Sequence, residues 1–270
     1  MKLACSSYIA PGEGWGEKIE NLARAGFEGM EVRLVGDVMD RPRQAREIVQ
    51  YAADCATKPC SLVAPTPDFL VRLTKETRGR KLAELERTAE LAAILGVPAL
   101  MCAEFESQPP LSPFEPLRPI TAEQRDLLLD FFCRADEIAG RFHMTWLVEA
   151  LNRYESSIYH RVGDAAQYCR DAGTRHLGIL ADVFHMSIEE TDAADAVVGV
   201  KDLLTHVQLA DNNRLLPGLG SFNFSKFFGA LTRIRYTGYM ALECIAPRGD
   251  LDALRGCAQF LSRMVGKVTG

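Results

Sequence analysis

Along the chain, short apolar runs rich in β-branched residues alternate with longer stretches in which apolar positions recur at helical spacing. Eight runs read as strands: KLACSSYIA (2–10), GMEVRLV (29–35), CSLVAP (60–65), ALMCAEF (99–105), TWLVEAL (145–151), LGILADV (177–183), HVQLADN (206–212) and YMALECI (239–245). The helical pattern covers 15–25, 42–57, 75–95, 122–142, 164–171, 192–200, 224–235 and 251–265. Local signals agree with these bounds: Pro42 stands near a helix start, Thr121 is placed as an N-cap before Ala122, and Gly96 follows Leu95. A strand followed by a helix, eight times, predicts parallel strands joined by crossovers. Near-continuous apolar strands belong to a sheet covered on both faces. The simplest closure is an α/β fold of the (β/α)8 TIM-barrel type. A doubly wound open sheet is the alternative, but it gives no reason for eight units or for acids at the ends of the late strands.

A chain of 270 residues fits one such barrel, which takes about 250 residues, so a single domain over 1–270 is expected. The Pro-rich QPPLSPFEPLRP (108–119) reads as a loop after the fourth strand. With 47% hydrophobic and 25% charged residues the composition is that of an ordinary soluble protein. No segment approaches the roughly 20 continuous apolar residues of a membrane span. The N-terminal MKLACSSYIAPGEGWGE reaches Gly, Glu and Trp too soon for a signal peptide, so a cytoplasmic protein is expected. The eight cysteines contain no C-x-x-C pair and lie mostly in apolar runs, which suggests reduced core thiols. A formal charge of -5 gives no global attraction to nucleic acid or anionic membrane.

In a barrel of this type the reactive groups come from the C-terminal ends of the strands. The late strands supply Glu149 in WLVEAL, Asp182 in GILADV, Gln208 in HVQLAD and Glu243 in MALECI. A single acid at a strand end is ordinarily a cap or an ion-pair partner. Three converging carboxylates differ, because without a cation they repel and drive one pKa upward. An ionised Asp182 at the end of a buried strand needs a partner in any case.

The phrases VEALNRYE (148–155), ADVFHMSIEE (181–190), HVQLADNNRLLPGLGSFNF (206–224) and GYMALE (238–243) resemble the sugar phosphate isomerase/epimerase superfamily with a xylose isomerase-like barrel. The likeness is strongest to the D-tagatose/D-psicose 3-epimerase group. It covers nearly the whole chain and is sharpest from 145 to 245. The resemblance implies that Glu149 binds a metal and moves a proton, that Asp182 is a metal ligand, and that Glu243 both ligates metal and exchanges a proton. It further implies substrate contacts from Glu155, His185 and Arg214.

One position departs from the ketose epimerases: Gln208 stands where they have a metal-binding histidine. His206 lies two residues earlier on the same strand face, about 7 Å deeper, so Gln208 is the expected ligand. Hydroxypyruvate isomerases share a similar H-x-Q-x-A phrase with the glutamine as ligand. Two Glu, one Asp and one Gln carbonyl suit one divalent ion, Mn2+ or Mg2+, with Co2+ an option, better than zinc. The implied chemistry is removal of a proton beside a ketose or hydroxy-keto carbonyl to give a cis-enediolate, with Glu149 and Glu243 as acid and base. Two carboxylates on opposite faces give epimerisation; one acid returning the proton to the neighbouring carbon gives an aldose.

The alternatives are a hydroxypyruvate-type aldose–ketose isomerase, a carbohydrate lyase or dehydratase, an endonuclease IV-like nuclease and a non-catalytic accessory barrel. Few histidines and the negative charge weigh against the nuclease. The expected partner is a small carbohydrate or hydroxy-keto substrate, with no nucleic acid, no membrane and homo-oligomerisation open. His143 and His176 read as boundary residues. Cys5 and Cys60 read as packing groups, with a place near the substrate left open, and Trp15 and Phe69 as pocket walls or loop packing. Gly218 and Gly220 read as a flexible turn closing over substrate.

Overall fold

The structure is a computed structural model that describes residues 1–34, 37–65, 69–103, 120–246 and 250–269. Its strands are β1 (Lys2–Ser6), β2 (Gly29–Arg33), β3 (Lys58–Pro65), β4 (Ala99–Ala103), β5 (Thr145–Glu149), β6 (Leu177–Asp182), β7 (Leu204–Leu209) and β8 (Tyr239–Leu242). Each pairs in parallel with the next, and β1 pairs with β8, so the sheet closes into an eight-stranded barrel. Around it run α1 (Trp15–Ala25), α2 (Arg41–Ala52), α3 (Lys75–Leu95), α4 (Ala122–Arg141), α5 (Val162–Asp171), α6 (Val183–Glu189), α7 (Ala193–Gly199), α8 (Phe224–Arg233) and α9 (Leu251–Thr269). This is the predicted (β/α)8 fold. Among the described residues no helix is long and apolar enough to cross a membrane.

Local chemistry sets the helix ends. Thr121 caps α4 in a reciprocal box with Gln124, and Gly96 closes α3 at φ 68, where a side chain is costly. The helix expected over 42–57 stops at Ala52. There the Lys58 ammonium donates to the carbonyls of Ala52 and Ala53 at 2.6 and 2.7 Å, a cation answering the negative end of the helix. Pro59 then biases Lys58 toward extended backbone, and β3 starts two residues earlier than expected. The expected strand 177–183 ends at Asp182, and α6 follows at once. Seven residues are too few for a periodic signal, so the apolar positions of VFHMSIE are easily taken for the strand's continuation. Other strands also leave the sheet earlier than the apolar runs suggest, β1 at Ser6 and β7 at Leu209. The Pro-rich 108–119 and Val35 lie outside the described residues.

The main core fills the space between barrel and helices. At its centre Trp146, fully buried, meets Phe132, Phe131 and Phe69 edge-on at centroid distances of 5.4, 5.8 and 6.4 Å. Phe69 is therefore a packing residue of this layer and not a pocket wall. Inside the barrel, Val63, Met101, Leu147 and Leu180 form one apolar group and Ala4, Cys60 and Ala241 another. They fill the barrel, so reactive groups are confined to its upper end.

The indole N–H of Trp146 has no acceptor among the described residues. Trp146→Ala is expected to cost about 3–5 kcal/mol of stability. Trp146→Phe is expected to cost much less, since it removes volume but also an unsatisfied donor; urea unfolding of the two variants compares them.

Candidate active site at the carboxyl ends of the strands

Period-2 alternation sends Leu147 and Glu149, Leu180 and Asp182, and His206 and Gln208 to the barrel interior. Asp182 and Gln208 are partners in the β6–β7 ladder. Glu149 and Asp182 end β5 and β6, and Glu243 follows β8 directly, its amide still donating to Leu209 O at 3.1 Å. Glu149, Asp182 and Gln208 are buried. One ligand atom each from Glu149, Asp182 and His185 lies within 4.8 Å of the others. A cavity of about 110 Å³ is bordered by Glu149, Glu155, His185, Arg214, Glu243 and Arg33.

The partner of Asp182 is Arg214, whose Nη1 donates to Asp182 Oδ2 while Nη2 donates to Glu243 Oε2 at 2.9 Å. Arg33 Nη2 donates to the other Glu243 oxygen at 3.0 Å. Burial raises the Glu243 carboxyl above the ordinary carboxylate range; Arg214 and Arg33 oppose that shift, while Glu31 and Asp182 add to it. Arg214 has φ 62, a left-handed conformation unusual for a side chain of this size. It is held there from both sides: Arg214 N donates to Asp211 O at 2.9 Å, and Ile245 N donates to Arg214 O at 2.7 Å.

The loop carrying Arg214 is built on Asp211. Its carboxylate accepts from the amides of Asn212, Gly218 and Phe222 at 2.9, 2.8 and 3.0 Å. Gly218 adopts φ 96, and a Cβ on Gly220 would stand 2.3 Å from Asp211 Oδ1. The glycine pair thus serves a turn wrapped on a buried acid.

His185 Nδ1 faces the Asn152 backbone N–H at 3.2 Å, and its Nε2 lies 3.5 Å from Asp182 and 3.7 Å from Glu149. A backbone N–H can only donate, so Nδ1 accepts and a neutral ring carries its proton on Nε2. Burial lowers the pKa of His185, against the pull of Asp182, which favours that neutral ring. Glu155 sits at the edge of the group, accepting from Asn152 Nδ2 at 2.9 Å. The turn bearing Asn152 and Glu155 is tied to α6 by Arg153, which donates through N, Nε and Nη2 to Glu189 at 2.8, 2.9 and 2.7 Å.

Sequence reasoning passes over Glu31 and Arg33, although alternation in GMEVR puts both on one face of β2. Charges in a strand buried on both sides were the available signal. Glu31, fully buried, accepts from His206 and from Gln208; His206 pairs with Leu180, one step before the Asp182–Gln208 pair on the same strand faces. Cys5 and Cys60 are buried, burial pushes both thiols up, and neither is among the described residues bordering the cavity. Trp15 begins α1, with the Lys18 ammonium 5.5 Å from its ring centre. His176 packs beside Gly140, and His160 Nδ1 meets Leu151 O at 3.1 Å.

A divalent cation fits this arrangement. The Gln208 carbonyl oxygen is buried with no hydrogen-bond partner among the described residues, and Glu149, Asp182 and His185 bring two carboxylate oxygens and an imidazole nitrogen together, groups that commonly ligate divalent ions.

A closed parallel barrel with carboxylates, an imidazole and two guanidinium groups gathered at its C-terminal rim is the plan of a barrel enzyme. Residues 19–263 match the family described as xylose isomerase-like TIM barrel, and the chain belongs to that family. It is 29% identical over 235 residues to 3-dehydro-D-guloside 4-epimerase of Escherichia coli K12, covering 84% of this chain and 86% of the relative. D-psicose 3-epimerase of Enterocloster bolteae is 39% identical over 102 residues, 38% of this chain and 34% of that protein. Among solved structures, the apo form of 3-keto-D-glucoside 4-epimerase from E. coli superposes with a TM-score of 0.86 at 25% identity, over 97% of this chain and 99% of that one. The chain is an enzyme of the sugar epimerase and isomerase class.

The Glu189 side chain is 1% exposed. Burial pushes its carboxyl up, but the Arg153 donors outweigh burial and hold it below the ordinary range. A depressed folded pKa contributes stability above the unfolded value, about 4.3, and loses it as pH falls through the folded value. Arg153→Met is expected to lower unfolding free energy by about 1–3 kcal/mol at pH 7 and by progressively less in acid, as urea melts at pH 7 and pH 3 will read.

Proposed function

We propose that the chain is a divalent-metal-dependent sugar epimerase that inverts a hydroxyl-bearing carbon next to a ketone, on a small ketose or hydroxy-keto sugar. The observation that carries this reading is the pair of carboxylates, Glu149 and Glu243, bordering one cavity with His185 and Arg214. The named activities of the relatives support it. A 3-dehydro sugar inverted at C4 and a 2-ketose inverted at C3 both carry their ketone beside the inverted carbon, so both reactions exchange a proton α to a carbonyl.

A bound Mn2+ or Mg2+, held by Glu149, Asp182, Gln208 and Glu243, would supply Lewis-acid polarisation of the substrate carbonyl. The remaining work falls to this chain's side chains. One of Glu149 and Glu243 removes the α proton and the other returns one, giving a cis-enediolate between the two transfers. They stem from β5 and from just after β8, three places apart in a ring of eight, and so approach the cavity from different sides. That favours removal on one face and return on the other, which is inversion. His185, with its proton on Nε2, acts as a donor to a substrate oxygen and not as a ligand. Glu155 and Arg214 orient the polyol, and Arg214 also offsets the charge of Asp182 and Glu243.

A second reading, hydroxypyruvate-type aldose–ketose isomerisation, is favoured by Gln208 in its H-x-Q-x-A phrase. The two readings differ in where the proton returns, so products separate them.

Purified protein with Mn2+ or Mg2+ in heavy water, given free ketoses, 3-keto-glucosides and hydroxypyruvate, is expected to place deuterium α to the ketone of a sugar and to invert that carbon. Glu149→Gln and Glu243→Gln are each expected to slow exchange by about 10²–10⁴-fold, and chelation to abolish it. An aldose product would select the second reading; no exchange with any compound would sink both.

A further inference from the structure

The metal-dependent reading leaves unexplained a polar group buried below the rim. Glu31 on β2 is fully buried in the barrel. Its Oε2 accepts from His206 Nε2 at 2.9 Å and Ser61 Oγ at 3.3 Å, and its Oε1 accepts from Gln208 Nε2 at 3.0 Å. Three elements, β3, β7 and β2 itself, therefore fix one carboxylate. Gln208 is fully buried too, and its other amide end, Oε1, has no partner among the described residues.

An amide presents two donors on one side and an acceptor on the other, and the two orientations have nearly the same shape. A carboxylate only accepts, so an amide turned the wrong way would set its oxygen against Glu31 at hydrogen-bond distance. The acid thus selects one orientation, which sends Oε1 away from Glu31. A histidine or a carboxylate at position 208 would not raise this problem in the same form. A glutamine does, because its NH2 end turned to a cation would repel it.

We infer that Glu31 is a positioning residue that orients the Gln208 amide so that its carbonyl oxygen faces a divalent cation. The inference rests on the metal-dependent reading and deepens it. His206 and Ser61 act one step further out, holding the carboxylate that holds the amide. Partners at this remove from a metal commonly change its affinity by about 10–100-fold.

The test is Mn2+ binding without substrate, followed by the loss of the free-ion paramagnetic resonance signal, for the wild type, Glu31→Gln, Gln208→Met and the double variant. Glu31→Gln is expected to weaken Mn2+ binding by about 10-fold, the low end of that range, and to add nothing to Gln208→Met, because Glu31 acts through the amide. Wild-type affinity in Glu31→Gln would overturn the inference. So would an equal weakening on top of Gln208→Met, which would show that Glu31 acts by charge alone. Thermal unfolding in chelator checks that each variant folds. Should Glu31→Gln fail to fold, Glu31→Asp, which keeps the charge and withdraws the carboxylate from Gln208, enters the same cycle with the same expectation. A wild type that binds no Mn2+ would overturn the metal-dependent reading, and this inference with it; a wild type that binds while Glu31→Gln binds equally well would overturn this inference alone.

Discussion

The arrangement that everything else at the rim depends on is one guanidinium shared by two carboxylates. Arg214 reaches Asp182 with one nitrogen and Glu243 with the other. Asp182 ends a strand whose every residue is buried, and a carboxylate there without a counter-charge would be costly to desolvate. Glu243 has a second guanidinium, from Arg33. Closing a parallel barrel forces strand-end side chains toward one axis, and in this chain several of them are acids. Their mutual repulsion is the price of the site, and fixed cations from β2 and from the loop after β7 offset it.

That requirement accounts for structure some distance from the acids. Arg214 reaches both carboxylates from a left-handed backbone conformation, which a free loop would abandon. Asp211 gathers three loop amides and places the loop, and an isolated bridge between Leu215 and Ile245 ties it to the segment after β8. On the neighbouring side, Arg153 and Glu189 join the turn after β5 to α6, so that Asn152 meets His185. Asp182 has a further duty here, since its Oδ1 caps α6 through the Phe184 amide at 2.8 Å. The residue that needs a counter-charge also starts the helix carrying His185.

The interior reads as layers. Apolar side chains fill its lower part, among them Ala4, Cys60 and Ala241. Above them Glu31, Ser61, His206 and Gln208 form a hydrogen-bonded set, with Gln208 level with Asp182, and the acids Asp182 and Glu243 meet Arg214 and Arg33.

The eight strand–helix units, the bounds of α1 and α3, the caps at Thr121 and Gly96, and the inward-facing Glu149, Asp182 and Gln208 were all legible in the order of residues. They follow from periodicity and from capping chemistry, which act over a few positions and so leave local traces. The short α6 and the early end of α2 were not, because seven residues carry too little period and because α2 is stopped by Lys58 from beyond its end. Glu31 and Arg33 could have been seen as charges in a buried strand, but nothing near them names their partners. Those partners, His206 for Glu31 and Glu243 for Arg33, lie 175 and 210 positions along the chain. Only closure of the barrel brings β2 against the residues of β7 and the end of β8, and only then is it decided which cation answers which acid. Sequence alone therefore determined the units and the face each residue presents; the tertiary structure decided the pairings, because electrostatic and hydrogen-bonding partners are chosen by distance in space.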